Sequence, residues 1–72
     1  MKQLKIKVSD YMGKLKLSQK AVSEATGIRA TTISHYYHDT VKLIDRNHIV
    51  KLCNLFGCTV GELFVLEDSN EN

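Results

Sequence analysis

The sequence predicts an all-α domain of five short helices, and three observations support that fold class. Apolar residues recur at the spacing i, i+3, i+4, i+7 in two segments, which gives each segment one apolar helix face. Good N-capping residues precede three of the predicted helices, and glycines follow two of them. The predicted connections are about two to seven residues long, as in small helical domains. The chain of 72 residues has room for one domain, 1–66, followed by an acidic segment, 67–72, that we expect to be a disordered tail.

The N-terminal part predicts a first helix over residues 8–15. Its apolar face is formed by Val8, Tyr11, Met12 and Leu15. Before this helix, apolar residues and lysines alternate in "LKIKV" with the period of a half-buried strand. A short N-terminal strand therefore remains an open alternative for this segment.

The second predicted helix covers residues 19–26 and begins after Ser18, a good N-cap. We expect its inward residues to be Val22 and Ala25. Gly27 predicts the end of the helix, because glycine adopts the left-handed conformation without steric cost. Ile28 then follows as the apolar residue that packs back against the helix end.

The third predicted helix covers residues 30–37 and lies after a three-residue turn. Ile33 and Tyr36 are its expected inward residues, one helical turn apart. The opposite face is predicted to be polar and to consist of short side chains and one imidazole: Ala30, Thr31, Ser34 and His35.

The fourth helix is predicted over residues 46–56, between Asp45 as N-cap and Gly57 as terminator. Its apolar face is formed by Ile49, Leu52, Cys53 and Phe56. The spacing of Thr59 and Glu62 is that of a capping box. It predicts a short fifth helix with an apolar face of Val60, Leu63 and Phe64.

The charges divide along the chain. Residues 1–60 hold all ten lysines and arginines against four acids, a net +6, whereas residues 61–72 hold four acids and no base. A basic body is typical of phosphate-binding surfaces, although lysines also keep small domains soluble. The sequence has no membrane-spanning segment and no secretory leader, so we expect a cytoplasmic location.

The two cysteines and the histidines do not have the spacing of a metal site. Cys53 and Cys58 stand in apolar surroundings and predict buried thiols, with a regulatory disulfide as the alternative. We expect no metal, no cofactor and no small-molecule ligand. Enzymatic activity is not expected, because the titratable residues do not converge on one predicted site.

The second and third predicted helices together meet the requirements of a helix-turn-helix. Ser23 is small where the helices should cross, Gly27 stands in the turn, and Ile33 is the buried aliphatic residue. With "LSQKAVSEATGIRATTIS" and "IVKLCNLFGCTVGELF", the chain resembles the Cro and phage-repressor type of helix-turn-helix proteins, also called the Xre family, and within it the small stand-alone branch. The resemblance covers about residues 8–66. It implies a lambda-repressor-like fold and sequence-specific binding of duplex DNA in transcriptional regulation.

By position, the resemblance implies that the third helix, about Ala30–Tyr37, inserts into the major groove. The expected base contacts are Arg29, Ala30, Thr31, Ser34 and His35. The expected phosphate contacts are Gln19, Thr32, Tyr37, His38, Thr40 and Lys42. Short side chains on the helix would allow its backbone to approach the base edges.

Two positions depart from the pattern of the family. Arg29 stands where the family prefers a Ser or Thr N-cap, and it brings a cation to the edge of the groove, near guanine or phosphate. His38 and Asp39 stand where the family commonly has Asn-Gly. Asp39 tolerates a positive φ better than most residues, but it brings a negative charge close to DNA.

Several of these residues also have an ordinary structural interpretation. Thr31 and Thr32 are compatible with caps of their own helix backbone. His35 is by default a solvated surface histidine. Only the joint spacing of the polar face with Gly27 and Ile33 favours DNA binding over these interpretations.

We therefore expect a repressor that binds a pseudo-palindromic operator as a homodimer, with half-sites about 34 Å apart. The dimer surface is expected at the fifth helix with "LFVLE", or at the N-terminal strand "KQLKIKV" pairing with it. The alternative function is that of an antitoxin-like or protein-interaction module that keeps the fold with weak or no DNA binding.

Overall fold

The computed structural model describes residues 1–68. In chain order the elements are β1 (Lys2–Ile6), α1 (Val8–Leu15), α2 (Gln19–Thr26), α3 (Ala30–Tyr37), α4 (Arg46–Phe56), α5 (Val60–Leu63) and β2 (Phe64–Asp68). The domain is mostly helical, as predicted, and the first four helices have the predicted bounds. It also contains a two-stranded sheet, so the all-α prediction holds only for the helical body. Within residues 1–68, no helix has the length and apolarity needed to cross a bilayer.

The sheet joins the two ends of the described chain. β1 and β2 pair antiparallel, with Leu4 opposite Leu66 and Ile6 opposite Phe64. Two ion pairs join this end of the chain to β2. Lys2 Nζ lies 3.1 Å from Asp68 Oδ1, and Nζ of Lys7, the residue after β1, lies 2.8 Å from Glu67 Oε2. The N-terminal strand is therefore present, and it has a partner within the same chain.

The second strand differs from the expectations for this end of the chain. The capping box of α5 is present, but the helix makes one turn and Phe64, predicted on its apolar face, begins β2 in an extended conformation. Glu67 and Asp68, assigned from the sequence to the tail, form the end of β2, and their carboxylates pair with Lys7 and Lys2. Residues 69–72 of the expected tail lie outside the described residues.

The core lies between the helices and includes the ends of both strands. Most of the predicted inward residues are buried, and the fully or nearly buried apolar side chains are Ile6, Val8, Met12, Val22, Ile28, Ile33, Tyr36, Leu52, Phe56 and Leu63. The predicted inward positions Leu15 and Val60 are exposed instead. Leu15 is the last residue of α1 and Val60 the first of α5, so both stand where the chain leaves the core.

One of the two residues of α2 that were predicted to point inward is exposed in the structure. Ala25 is exposed, and the polar residue beside it, Thr26, is buried. The Thr26 hydroxyl donates to the Val22 carbonyl at 2.7 Å and accepts from the Ile28 amide at 3.2 Å. Because both hydrogen bonds satisfy the hydroxyl, its burial has little desolvation cost.

The turn between α2 and α3 has the predicted geometry. Gly27 has φ 75°, in the left-handed region, and its amide donates to the Ser23 carbonyl at 2.8 Å. Ile28 is buried against the core, and the Ser23 hydroxyl donates to its carbonyl across the turn. These contacts fix the direction in which α3 leaves α2.

The cysteines are half-buried, not fully buried as predicted. Cys53 and Cys58 flank the end of α4, and the Cys58 amide donates to the Cys53 carbonyl at 3.1 Å. Burial is the main cause that raises the pKa of the Cys58 thiol, and the neighbouring Cys53 is the second. The Cys58 thiol is therefore protonated at neutral pH, and it packs against the core as a small apolar group.

Candidate nucleic-acid interface

The outer face of α3 is formed by Thr31, Ser34 and His35, and the C-cap residue His38 continues it at the spacing i, i+3, i+4, i+7. Three of them are exposed and Ser34 is half-buried. Ile33 and Tyr36, on the opposite side of the helix, are completely buried. The helix is thus attached to the core by one side, and its other side presents hydroxyl and imidazole groups to solvent.

The start of α3 is open and basic. Arg29 is the N-cap residue, with an extended backbone and no side-chain capping hydrogen bond. Its guanidinium is exposed and makes no ion pair within residues 1–68. Ala30, the first helical residue, is exposed and adds no bulk beside it. The free backbone amides at this end and the Arg29 charge both favour an anion.

The end of α3 is closed by a left-handed cap. Asp39 has φ 58°, its amide donates to the Tyr36 carbonyl at 3.3 Å, and the Thr40 amide donates to the His35 carbonyl at 2.9 Å. This pair of hydrogen bonds is that of a Schellman motif. Asp39 therefore adopts the positive φ that aspartate tolerates better than most residues.

The cap also brings the turn after α3 into contact with its outer face. His35 Nδ1 and Thr40 Oγ1 lie 3.0 Å apart, within hydrogen-bond distance. Both residues are exposed, and together with Val41, Lys42 and Leu43 they line a shallow depression at the surface. The structure thus unites a predicted base contact, His35, with two predicted phosphate contacts, Thr40 and Lys42.

The remaining predicted phosphate contacts lie on the flanks of this surface or away from it. At about 100° per residue, Thr32 and Tyr37 lie on opposite flanks of α3, Thr32 half-buried and Tyr37 just exposed. The Tyr37 ring packs edge-on to His38, with ring centroids 5.0 Å apart. Gln19 begins α2 and is half-buried, and no hydrogen bond within residues 1–68 joins its side chain to α3.

Tyr36 connects α3 to the start of α4. Its hydroxyl oxygen accepts from the Asp45 amide at 3.5 Å and lies 3.3 Å from His48 Nδ1. The Tyr36 and His48 rings meet edge-on, with centroids 5.9 Å apart. Burial raises the pKa of the Tyr36 phenol, so the hydroxyl stays neutral at physiological pH. These contacts hold α3 against the body of the domain while its outer face stays free.

The charges around α3 are mostly positive. Lys2 in β1 and Lys7 just after it are paired with Asp68 and Glu67, which cancels part of the basic charge at the sheet. The other bases that are exposed and make no ion pair within the described chain include Lys20, Arg29 and Lys42, on α2, at the start of α3 and in the turn after it. Asp39 is the acid closest in sequence to this surface. Among residues 1–68, no cluster of three or more His, Cys, Asp or Glu side chains could hold a metal ion.

Two features of the site were missed from the sequence. The contact between His35 and Thr40 depends on the left-handed turn at Asp39, and residues five apart do not meet on a straight helix. The Tyr36 contact with His48 joins two elements across a loop of eight residues, 38–45. The only sequence signal for the first feature was Asp39 at a position that favours Asn-Gly.

A comparison with protein families identifies the same unit. A family model described as the Cro/C1-type HTH DNA-binding domain matches residues 7–69. No curated protein and no solved structure matches the chain. The matched range includes all five helices and β2, and therefore the whole surface described above.

Proposed function

The chain belongs to the Cro/C1-type family of helix-turn-helix DNA-binding domains, and on that premise we propose that it binds duplex DNA by inserting α3 into the major groove. The observation that carries this proposal is the outer face of α3. Thr31, Ser34 and His35 lie side by side on a helix whose other side is buried through Ile33 and Tyr36.

The size of this face fits the groove. A helix with its side chains is about 10–12 Å across, and the major groove of B-DNA is about 12 Å wide. Alanine, threonine and serine add little beyond the backbone, so the first turns of α3 can lie against the base edges. The hydroxyls of Thr31 and Ser34 then donate to or accept from bases, and their neighbour Ala30 contacts a thymine methyl group.

The flanking residues supply phosphate contacts in this arrangement. Arg29 lies at the start of the helix and reaches either a guanine edge or a phosphate. Thr32 and Tyr37 lie on its two flanks, where the two strands of DNA border the groove. Gln19, His38 and Lys42 complete the proposed phosphate contacts, with Lys42 as the charged member of the turn after α3.

We propose that two copies bind a pseudo-palindromic operator and act as a repressor by occupying it. One copy of α3 reads few base pairs, so a two-fold dimer is needed for an operator of useful length. The sheet supports this assembly. Leu4 and Leu66 lie opposite each other on one face and are 45% and 62% exposed, and a two-stranded ribbon is marginally stable without further cover.

The function is tested by selecting bound duplexes from a random pool and titrating the selected sequence against salt. We expect affinity to fall steeply with salt. Ser34→Ala should reduce the preference for the selected sequence about fivefold, the equivalent of one hydrogen bond. Lys42→Ala should weaken all sequences alike and reduce the salt slope by about 1.

Lys51→Ala is the matched control for Lys42→Ala. Lys51 is exposed on α4 beside Ala25 and Thr26, on a surface that does not include α3. It carries the same charge, and its removal should leave the salt slope unchanged. Failure to enrich any duplex, or an equal loss for Lys42→Ala and Lys51→Ala, would contradict the proposed interface.

The apolar face of the sheet favours a second candidate function, that of a module whose main partner is another protein. In that case Leu4→Asp would abolish assembly while the selection still yielded no preferred duplex. A preferred duplex whose recognition depends on Ser34 decides in favour of DNA binding.

A further inference from the structure

We propose that Thr40 is a positioning residue that fixes the imidazole of His35 so that Nε2 presents an N–H donor to the DNA. This inference rests on the proposed function, since it concerns how the α3 surface reads its operator. It adds the tautomer and orientation of His35 and the kind of base edge that His35 accepts as partner.

The contact that carries the inference is the one between His35 Nδ1 and Thr40 Oγ1 at 3.0 Å. A neutral imidazole has one donor nitrogen and one acceptor nitrogen, and the partner of one nitrogen decides which is which. If Thr40 donates to Nδ1, the ring proton must be on Nε2. The atom that faces away from Thr40 is then a hydrogen-bond donor.

The surroundings of the Thr40 hydroxyl favour donation to the ring. Its other neighbour is the His35 carbonyl at 3.5 Å, which is beyond the usual length of an O–H···O hydrogen bond. That carbonyl already accepts from the Thr40 amide at 2.9 Å. The hydroxyl proton therefore has its better acceptor in Nδ1.

The backbone holds Thr40 in place for this task. The left-handed residue Asp39 reverses the chain after α3, and the amide hydrogen bond from Thr40 to the His35 carbonyl locks the turn. The two side chains therefore meet without a long flexible connection. His35 loses ring freedom before it meets DNA, which reduces the entropy that binding must remove.

A donor at Nε2 selects bases that present acceptors in the major groove. Guanine presents two adjacent acceptors there, N7 and O6, whereas cytosine presents the donor N4 amino group. Adenine and thymine each present one acceptor, N7 beside the N6 amino donor and O4 beside the methyl group. Because guanine offers the Nε2 donor two acceptors and no neighbouring donor, we infer that the base facing His35 is a guanine. The positioning role replaces the direct phosphate contact expected for Thr40 from the sequence, because the Thr40 hydroxyl is hydrogen-bonded to the His35 ring.

The tautomer is measured first, on the protein without DNA. Long-range proton–nitrogen correlation spectra at a pH where the ring is neutral should show Nε2 as the protonated nitrogen of His35. Thr40→Val removes the hydroxyl and keeps the shape of the side chain, and it should shift the His35 nitrogen signals toward a mixture of tautomers. Thr40→Ser should restore the pattern.

His38 and His48 serve as internal controls, because their contacts are with Tyr37 and Tyr36 and not with Thr40. Their nitrogen signals should be the same in all three proteins. A proton on Nδ1 of His35, or nitrogen signals that do not change in Thr40→Val, would overturn the proposal whether or not the protein binds DNA.

The consequence for recognition is then measured on the duplex selected from a random pool. Thr40→Val should reduce the preference for guanine over the other bases at one position per half-site about fivefold, and Thr40→Ser should retain it. Replacing that guanine by 7-deazaguanine, which lacks the N7 acceptor, should weaken the parent protein and leave Thr40→Val little changed. An equal loss in both proteins overturns the positioning role. Failure to select any duplex refutes the proposed function and, with it, this reading of the base, but not the tautomer assignment.

Discussion

Within residues 1–68, two residues other than glycine have a positive φ, and replacing either by glycine should stabilise the domain. Lys16 has φ 56° at the end of α1, where the Leu17 amide donates to the Met12 carbonyl at 2.9 Å. A left-handed conformation costs an L-residue about 1–2 kcal/mol, and glycine loses about 0.5–1 kcal/mol more backbone entropy on folding. The difference predicts a gain of about 0.5–1 kcal/mol for Lys16→Gly.

The assay is unfolding by urea, followed by circular dichroism and analysed as a two-state transition. The midpoint of thermal unfolding should rise by about 2–8 °C for a domain of this size. Asp39→Gly should give a smaller gain, because aspartate tolerates this conformation better than lysine.

Lys51→Gly is the matched control for this prediction. Lys51 is exposed in the middle of α4, where glycine should cost about 1 kcal/mol. The same chemical change thus has opposite signs at the two positions. A loss of stability in Lys16→Gly similar to that in Lys51→Gly would refute the argument from backbone conformation.

Two other predictions concern the contacts that hold the site and the sheet. Tyr36→Phe removes the hydroxyl that joins α3 to Asp45 and His48, and should lower the free energy of unfolding by about 1 kcal/mol. Tyr37→Phe removes the hydroxyl of an exposed ring and should leave the free energy of unfolding unchanged in the same urea titration. The hydrogen bond from Lys7 is the main cause that lowers the pKa of the Glu67 carboxyl from the usual 4.5, and the positive charge of Lys7 is the second cause. The pair therefore stabilises the fold above pH 4.5, and this contribution is lost as the pH falls through the pKa of Glu67 in the folded state. When unfolding is measured from pH 6 down to pH 2, the free energy of unfolding should fall less in Glu67→Gln than in the parent protein. Salt should reduce this difference. Identical pH profiles of the two proteins would exclude a contribution from the pair.

The helical body could be predicted from the sequence because its signals are local. Capping residues, terminating glycines and the apolar faces of α1 to α4 all lie within a few residues of the structure they determine. The sequence-based prediction failed where a residue far away in the chain determines the local structure. Phe64 begins a strand because β1 lies beside it, and the pairing of Glu67 with Lys7 spans almost the whole chain.

The helix face on which the proposed site residues lie could also be predicted from the sequence, but the contacts among them could not. The spacing of Thr31, Ser34 and His35 places them on one helix face, and the fold agrees. The contact of His35 with Thr40 requires a left-handed residue between them, which the sequence indicated only through Asp39. Thr26 and Ala25 show the same limit, since a buried hydroxyl is recognisable only when its two hydrogen-bond partners are known.

Backbone amide spectra recorded during titration with a selected duplex test most directly whether the outer face of α3 lies against DNA. We predict the largest shifts from Arg29 to His35 and in the turn that contains Lys42, with little change at Lys51, which lies on α4 beside Ala25 and Thr26. Large shifts around Lys51 with no change along α3 would contradict the proposed interface.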